Sequence, residues 1–453
     1  MLNKTLKRLK PYHNEKKRYV IPVIAIIISL CSCHKDKDSN TVDNKPKSGY
    51  KIEIIKGNNQ TDTIGNLLKD SVAVRVTKDG KPLKNVYIRY ETLGCDINSA
   101  LEIPIYYTET NAYYKWRLNG TVGKQALKVI LLDSVKSKKD SIEINATAIM
   151  PTHGWYRSSC SPVYGPIPND FCRLSSGRLL AAFNSFDYPY YSDDNAITWH
   201  PIKTFPSPSS GITIEKLIAS ASDEVFAATQ NNGLYYSKDG GQTWVAKNIG
   251  ITDPRYFVDM NYTKSGRLIY TTYFGGVYIS NDKGSSWQSV MTGLSNYDRF
   301  YYPSEQLNGD LVIINDGGAM YKSTNGGIQW TPVRLDFTYD VQSLFIDDNG
   351  DMYIGAANNS AELYRSNNNG VSWSKLYTAP PLPGVYREIQ KMSKQNGVYY
   401  FYTYGNGLIS TSNFNTFNNI TPTYTEQSRC YIVSKNSNLI VGTQFNGIYY
   451  NLP

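Results

Sequence analysis

The chain is 453 residues long, 41% hydrophobic and 13% aromatic, with 47 Lys and Arg against 38 Asp and Glu and a formal net charge of +9. That charge is local: residues 1–18 hold seven Lys/Arg and one Glu, so about +3 is left for everything after them, and a nucleic-acid-binding surface is not expected. Six cysteines without a Cys-x-x-Cys spacing fit neither a metal cluster nor a disulfide-dependent scaffold, and no metal or cofactor is expected.

The basic start (Lys4, Lys7, Arg8, Lys10, Lys16, Lys17, Arg18) leads into the apolar run Tyr19–Leu30 and then Leu30-Cys-Ser-Cys33. Twelve apolar residues are too few to span a bilayer as a stable helix, and the layout is that of a secretory signal. Leu30 and Ser32, placed three and one residues before Cys33, make this stretch resemble the lipobox of bacterial lipoproteins. The resemblance implies a signal peptide over 1–32, lipidation of Cys33 and a membrane partner through that lipid. Cys31 fits less well, because Leu30 would then occupy the cleavage position; an uncleaved anchor is the alternative. Residues 33–47 carry acids and lysines with Val42 as their one apolar residue after the cysteine, which reads as a solvated tether. Its start, Lys35-Asp-Lys-Asp38, resembles surface-export signals of outer-membrane lipoproteins and implies a surface-exposed location in the envelope. In an exported chain Cys95, Cys160, Cys172 and Cys430 could pair, and Cys160 with Cys172 is a possible bridge if they lie on neighbouring strands.

From Tyr50 the pattern alternates as strands do: Lys51–Ile55, Ser71–Val76, the turn Lys78-Asp-Gly-Lys-Pro82, then Val86–Glu91, Thr110–Leu118, Gly123–Leu131 and Ser141–Thr147. Short alternating runs punctuated by turns predict a β-sandwich over 48–149, with Trp116 in its core. Asp79–Val86 together with Thr110, Trp116, Leu118 and Gly123-Lys-Gln125 resembles bacterial immunoglobulin-like domains of the invasin/intimin type, which act as spacers.

From residue 150 onward one motif recurs, Ser-x-Asp/Asn-x-Gly-x-x-Trp. Its copies are Ser192, Asp194, Trp199; Ser237, Asp239, Trp244; Ser280, Asp282, Trp287; Ser323, Asn325, Trp330; and Ser366, Asn368, Trp373, with a degenerate sixth at Ser410–Phe417. Trp155, Trp199, Trp244, Trp287, Trp330, Trp373 and Phe417 follow one another at intervals of 43 to 45 residues. That period with β patterning predicts a propeller, one four-stranded unit per repeat. In one repeat Arg255–Tyr262 reads as the inner strand, Arg267–Tyr273 as the second, Val277–Ser280 as the third and Trp287–Met291 as the outer strand. The chain ends on a third strand, Gly447–Asn451, with no outer strand after it, whereas Trp155 begins an outer strand with no motif before it. Joining the two predicts an all-β architecture: an immunoglobulin-like sandwich, then a seven-bladed propeller over 150–453 closed by strands from both ends.

The repeated motif resembles the Asp-box, or bacterial neuraminidase repeat. Its residues read as structural: Asn replaces Asp at 325 and 368, a swap that acid–base chemistry would not survive. Function is therefore expected on the opposite face, in the loops between second and third strands and those leading to the next inner strand. Loop-face contacts nominated by type are Asp187, Gln230, Asn231, Asp316, Asn358, Tyr404, Asn406 and Gln444, suited to a glycan or protein ligand. Arg255, Arg299, Arg387 and Arg429 each open a predicted inner strand and form a candidate anion site, unless each pairs with a nearby acid such as Asp253, Asp298 or Glu426. Proteins that share the Asp-box fold include sialidases and other glycosidases as well as receptors and assembly factors, so the resemblance does not name a chemistry. The Phe-Arg-Ile-Pro start of sialidases is absent, and the acids Asp170, Asp187, Asp316 and Asp340 are scattered over different repeats. No catalytic residue is assigned. The expected protein is a non-catalytic binder; a glycoside hydrolase and an envelope scaffold are the alternatives.

Overall fold

The computed structural model describes residues 49–453 except 65, 84–85, 93–100, 106–110, 120–121, 150–153, 159–166, 185–187, 207–211, 275, 336–339, 358–359, 381–387, 404–406, 422–427, 444–446 and 453; for 101–105, 340, 428 and 429 it gives the backbone alone. The predicted signal peptide, Cys33 and the tether lie outside the described residues, as do Cys95 and Cys160. No helix occurs among the described residues.

Residues 50–149 fold as two sheets over one core. Tyr50–Lys56, Val72–Lys78, Lys81–Pro82 and Asn111–Tyr114 form one sheet; Gln60–Thr63, Lys138–Ile149, Gly123–Leu132, Val86–Thr92 and Leu101–Ile105 form the other, in that order. Alternation in the sequence becomes alternation in burial. Val86, Ile88 and Tyr90 point inward from Val86–Thr92, and Val72, Val74 and Val76 meet them from the facing sheet. Trp116 is 1% exposed in this core, as the sequence suggests.

Residues 154–452 form seven antiparallel four-stranded sheets, here sheets I to VII in the order of their first strands: Pro168–Arg173, Ile214–Ala219, Phe257–Tyr262, Phe300–Glu305, Asp340–Ile346, Ile389–Gln395 and Ser428–Val433. Sheet VII takes its fourth strand, Gly154–Arg157, from the opposite end of the region; Trp155 pairs with Asn451 and Tyr156 with Tyr450. Second strands such as Leu179–Phe183 and Leu268–Thr272 are buried along their whole length, because a neighbouring sheet covers each face. The outer strand of sheet III is shorter than the sequence suggests: Gln288–Ser289, like Val245–Ala246 in sheet II, is a two-residue, exposed edge, a form that offers little unpaired backbone to another chain.

First strands of successive sheets bind one another around a closed circuit. Asp170 accepts Leu217 N–H (I to II), Lys216 pairs with Asp259 (II to III), and Asp259 accepts Tyr302 N–H (III to IV). Tyr302 packs against the cluster that holds Val341 and Leu344 (IV to V), Lys394 pairs with Asp347 just past the first strand of sheet V (V to VI), and Ser393 Oγ bonds Tyr431 (VI to VII). Arg173 donates to Val433 O, which returns the circuit from VII to I. All seven first strands carry a register break at the same place, immediately before or at Asp170, Lys216, Asp259, Tyr302, Ser343, Lys391 and Cys430. Lys391 reaches Asp170 at 2.8 Å across sheet VII, so both this pair and Lys216–Asp259 join residues at the register breaks.

Cys172 is a buried free thiol, which removes it from the bridge considered with Cys160, and Cys430 is buried as well. Cys172 faces Leu174, Leu180 and Leu217 between sheets I and II, and that burial pushes its thiol pKa up.

The repeated motif builds the turn between third and outer strands. Ser237 Oγ donates to Asp239 Oδ1 at 2.7 Å and accepts Gly241 N–H, while Asp239 Oδ1 also accepts Thr243 N–H. Ser280 with Asp282, Ser192 with Asp194, Ser323 with Asn325 and Ser366 with Asn368 repeat the arrangement. Asn suffices at 325 and 368 because one side-chain oxygen receives both key bonds; Asn325 Oδ1 takes Ser323 Oγ and Gln329 N–H. Two residues per turn adopt left-handed φ, and at Gly327 a Cβ would also stand 2.5 Å from Ile279 Cδ1. Indole N–H groups tie sheets together: Trp287 donates to Lys247 O and Trp330 to Val290 O, each in the preceding repeat. In the sixth copy the structure shifts the register by one. Thr411 pairs with Tyr399 as the other motif serines pair with their second strands, its Oγ1 accepts Phe414 N–H, and Asn413 takes the Asp role with Thr416 N–H. That turn is one residue shorter than the others.

Burial raises the Asp239 carboxyl pKa, but hydrogen bonds from Thr243, Ser237 and Gln242 outweigh it and bring it to about 2; hydrogen bonds from Ser286 and Ser280 do the same for Asp282. Both lie below the ordinary 3.8, so their contribution to stability is present above that pH and is lost as pH falls through about 2. The Asp239→Asn/Asp282→Asn double variant is accordingly expected to lose less stability than the parent between pH 4 and pH 2. Urea midpoints across that range check it, and parallel curves would refute it.

Candidate functional site

The face opposite the motif turns carries the loops between second and third strands and the connections to the next first strand. Of the nominated residues, Asp187, Asn358, Tyr404, Asn406, Gln444 and Arg387 lie outside the described residues, and the Arg429 side chain is not described. Gln230, Asn231, Arg255, Arg299 and Asp316 are described, all on sheets II to IV.

The connection into sheet III places Tyr256 at φ 58, a left-handed conformation that is uncommon for a bulky residue. Two backbone bonds hold it: Tyr256 N–H donates to Gln230 O at 2.7 Å, and Tyr273 N–H donates to Tyr256 O at 2.8 Å. The loops of sheets II and III are thereby locked to this one residue. Its ring meets Phe274 edge-on at 5.2 Å between centroids and Tyr273 at 6.4 Å, and Tyr273 and Phe274 are 5.3 Å apart. The three rings form a triangle that is unusually open to solvent: 43%, 41% and 65% exposed for Tyr256, Tyr273 and Phe274.

An arginine stands at each side. Arg255 lies over the Tyr256 ring and holds Asp253 with two bonds of 2.9 and 3.0 Å. The Asp253 carboxyl is held below its usual range, first by that hydrogen-bonded guanidinium. Arg299 stacks 3.6 Å above the centre of Tyr273, donates to the Tyr273 hydroxyl and has Asp316 Oδ2 at 3.9 Å from its Nε. Asp298, offered from the sequence as an alternative partner, is occupied by Asn315 Nδ2 at 2.7 Å. The local pairing considered for each arginine therefore holds at Arg255 and, more loosely, at Arg299.

The Asp253 carboxyl is poorly placed for proton transfer. A general acid needs a raised carboxyl pKa, and Asp253 moves the other way. Asp170, among the acids scattered along the sequence, is committed to Lys391 and Leu217 N–H on the inner ring. Sequence reasoning expected function in the loops between second and third strands, where Tyr273 and Phe274 lie, but missed Tyr256. The signal available was the recurrence of Arg-Tyr at 255–256 and Arg-Phe-Tyr at 299–301, one repeat apart.

A family model for the BNR/Asp-box repeat matches residues 235–246. No curated protein matches the chain in sequence. Among solved structures, YCF48 bound to D1 peptide superposes with a TM-score of 0.53 at 12% identity, over 67% of this chain and 98% of that one. The catalytically inactive virginiamycin B lyase from Staphylococcus aureus with quinupristin gives 0.52 at 11%, over 64% and 95%. The extracellular domain of BT4673 from B. thetaiotaomicron gives 0.51 at 14%, over 64% of this chain and 39% of that chain.

The repeat region is a β-propeller. At such identities the likeness carries the fold alone. The propeller also explains the geometry above: the second-to-third loops and the inter-sheet connections emerge together at one end, and at sheets II to IV they bring the three rings into one surface.

Proposed function

We propose that this chain is a non-catalytic binding protein of the cell envelope, in which a lipid on Cys33 anchors the chain, an immunoglobulin-like sandwich acts as spacer, and a seven-bladed propeller binds glycan or protein through its loop face. The observation that carries the reading is the exposed triangle Tyr256, Tyr273 and Phe274 flanked by Arg255 and Arg299. Large aromatic surface and arginine left open to water at the face of a rigid scaffold is the composition of a binding hot spot.

Other features support its parts. The seven four-stranded sheets and the two-ended seventh sheet suit a ring of seven blades. In the sandwich Tyr50–Lys56, Val72–Lys78 and Asn111–Tyr114 share one sheet while Val86–Thr92, Gly123–Leu132 and Lys138–Ile149 share the other, a division the immunoglobulin fold also makes.

The test compares the parent with Tyr256→Ala/Phe274→Ala for binding to immobilised envelope glycans and envelope proteins, with thermal unfolding as control. Phe274 is 65% exposed, so its truncation is expected to leave stability within about 0.5 kcal/mol. Loss of binding of about tenfold or more is expected, from the removal of stacking contacts. Unchanged binding by the double variant would remove the loop-face reading, and turnover of a glycan abolished by a single carboxylate substitution would replace it with a hydrolase.

A further inference from the structure

Resting on the loop-face reading, we infer that the ligand of the Tyr256–Tyr273–Phe274 surface is a neutral oligosaccharide.

Charge is the first argument. The two arginines beside the rings are each matched by an acid, Arg255 by Asp253 through two short bonds and Arg299 by Asp316 at 3.9 Å. Among the described residues the surface thus presents two cations against Asp253 and Asp316, with Asp298 next to Arg299 as a third carboxylate, so no cationic excess is left. An anionic ligand would have to displace Asp253 from a guanidinium fork that is already filled, and it would meet Asp253 and Asp316 as like charges. Hydroxyl groups face no such conflict, since they donate to the carboxylates and accept from the guanidinium N–H groups left over.

The rings are the second. Their centroids lie 5.2 to 6.4 Å apart, so each ring supports the edge of the next rather than lining a cavity between them. Side-chain anchors of a protein ligand are favoured by a desolvated pocket at the centre of an interface. Exposed ring faces suit the C–H face of a pyranose, which needs an apolar plane and keeps its hydroxyl rim wet. Around the rings stand groups that can take that rim: the Tyr256 hydroxyl makes no hydrogen bond among the described residues, and the exposed Gln230 joins Tyr256 through its backbone.

The third argument is preorganisation. Tyr256 occupies left-handed backbone space and is held there by bonds to two different loops. A non-glycine residue kept in that region marks a position where the fold sets the side chain at a conformational cost. Fixing the ring before binding limits the ordering cost that weakens contact with a flexible, hydrated chain.

The experiment is titration calorimetry of the full chain with two sets of hexasaccharides, neutral (cello-, xylo-, manno- and maltohexaose) and acidic (hexagalacturonate and an alginate hexamer), at low and high salt. At least one neutral hexasaccharide is expected to bind, with an affinity that changes less than about twofold with salt. Tyr256→Ala/Phe274→Ala is expected to weaken it about tenfold or more, and Phe274→Tyr to keep it. Binding confined to acidic hexasaccharides and lost at high salt would overturn the inference. So would a complete absence of binding across both sets. In that last case a protein ligand whose binding still depends on Tyr256 and Phe274 would leave the loop-face reading standing, so the two failures are told apart.

Discussion

Replacing Trp330 by alanine is expected to destabilise the propeller by about 4 kcal/mol, a cost at the centre of the range for truncating a fully buried aromatic side chain. Trp330 is 1% exposed and packs with Ile279, Val290, Phe300 and Leu311, residues of sheets III and IV and of the connection between them. Its indole N–H donates to Val290 O at 2.9 Å, so the same side chain fills the core and satisfies a carbonyl in the preceding repeat. Trp330→Phe keeps most of the volume and is expected to cost about 1 kcal/mol for the lost bond plus a small cavity. Phe417 shows that this replacement is compatible with the architecture; there Tyr377 and Phe401 close around the smaller ring at 4.6 and 6.2 Å. Urea unfolding of the two variants decides the matter. A Trp330→Ala cost below about 1 kcal/mol would mean that the sheets contribute to stability almost independently.

The tryptophan spacing made the repeat visible in the sequence because one residue per repeat has a job that only a large ring with a donor performs well. Burial of the second strands was legible for a similar reason, since an apolar run such as Leu179–Phe183 has nowhere to go but between two sheets. Features that depend on hydrogen-bond register were not legible. The sixth motif looks as if it starts at Ser410, and only strand pairing shows that Thr411 and Asn413 do the work one residue out of phase. The outer strand Trp287–Met291 was drawn too long because exposed polar residues at a sheet edge carry no alternation to mark where pairing stops. The aromatic triangle was half legible: Tyr273 and Phe274 are adjacent in sequence, but Tyr256 joins them through backbone geometry that no composition reveals.

The seam between the two ends of the repeat region shows how a closing strand is held. Gly154–Arg157 pairs over four residues with Gly447–Leu452, twice the length of the outer strand in sheets II, III and IV, and Ser158 N–H extends the ladder to Ile448 O. A strand that closes the circuit without a hairpin to its neighbour needs more pairing to stay in place. Next to it the first motif has Ala196 at φ 70 where the next four copies have glycine, and Ser158 Oγ donates to Ala196 O. Ile197, one residue on, packs both against the sheet I and VII core and against the core of the N-terminal sandwich. The first turn thus serves a second purpose, as the point where the sandwich rests on the propeller.

Asp259→Ala is expected to cost about 3 kcal/mol, the lower end of the range for removing one member of a buried ion pair. The Asp259 side chain is 9% exposed, and its carboxylate receives Lys216 Nζ, Tyr302 N–H and Met260 N–H from three positions on the inner ring. Removing it leaves Lys216 without its carboxylate and the Tyr302 amide without an acceptor. Water reaches the 31%-exposed Lys216 side chain, which is why the lower end applies. Asp259→Asn keeps an acceptor for Tyr302 N–H and is expected to recover about 1 kcal/mol of the loss. The Lys216→Met/Asp259→Leu double variant removes both charges and is expected to cost less than Asp259→Ala alone, since neither ion is then left unpaired. A double variant worse than the sum of its singles would point instead to a ring held by packing around the pair. Lys216 and Asp259 lie 43 residues apart, one repeat, so the pair links neighbours at equivalent positions after each strand's register break. The circuit of first strands turns both side chains toward the ring, where an unmatched charge is costly and a matched one fixes which strand lies beside which.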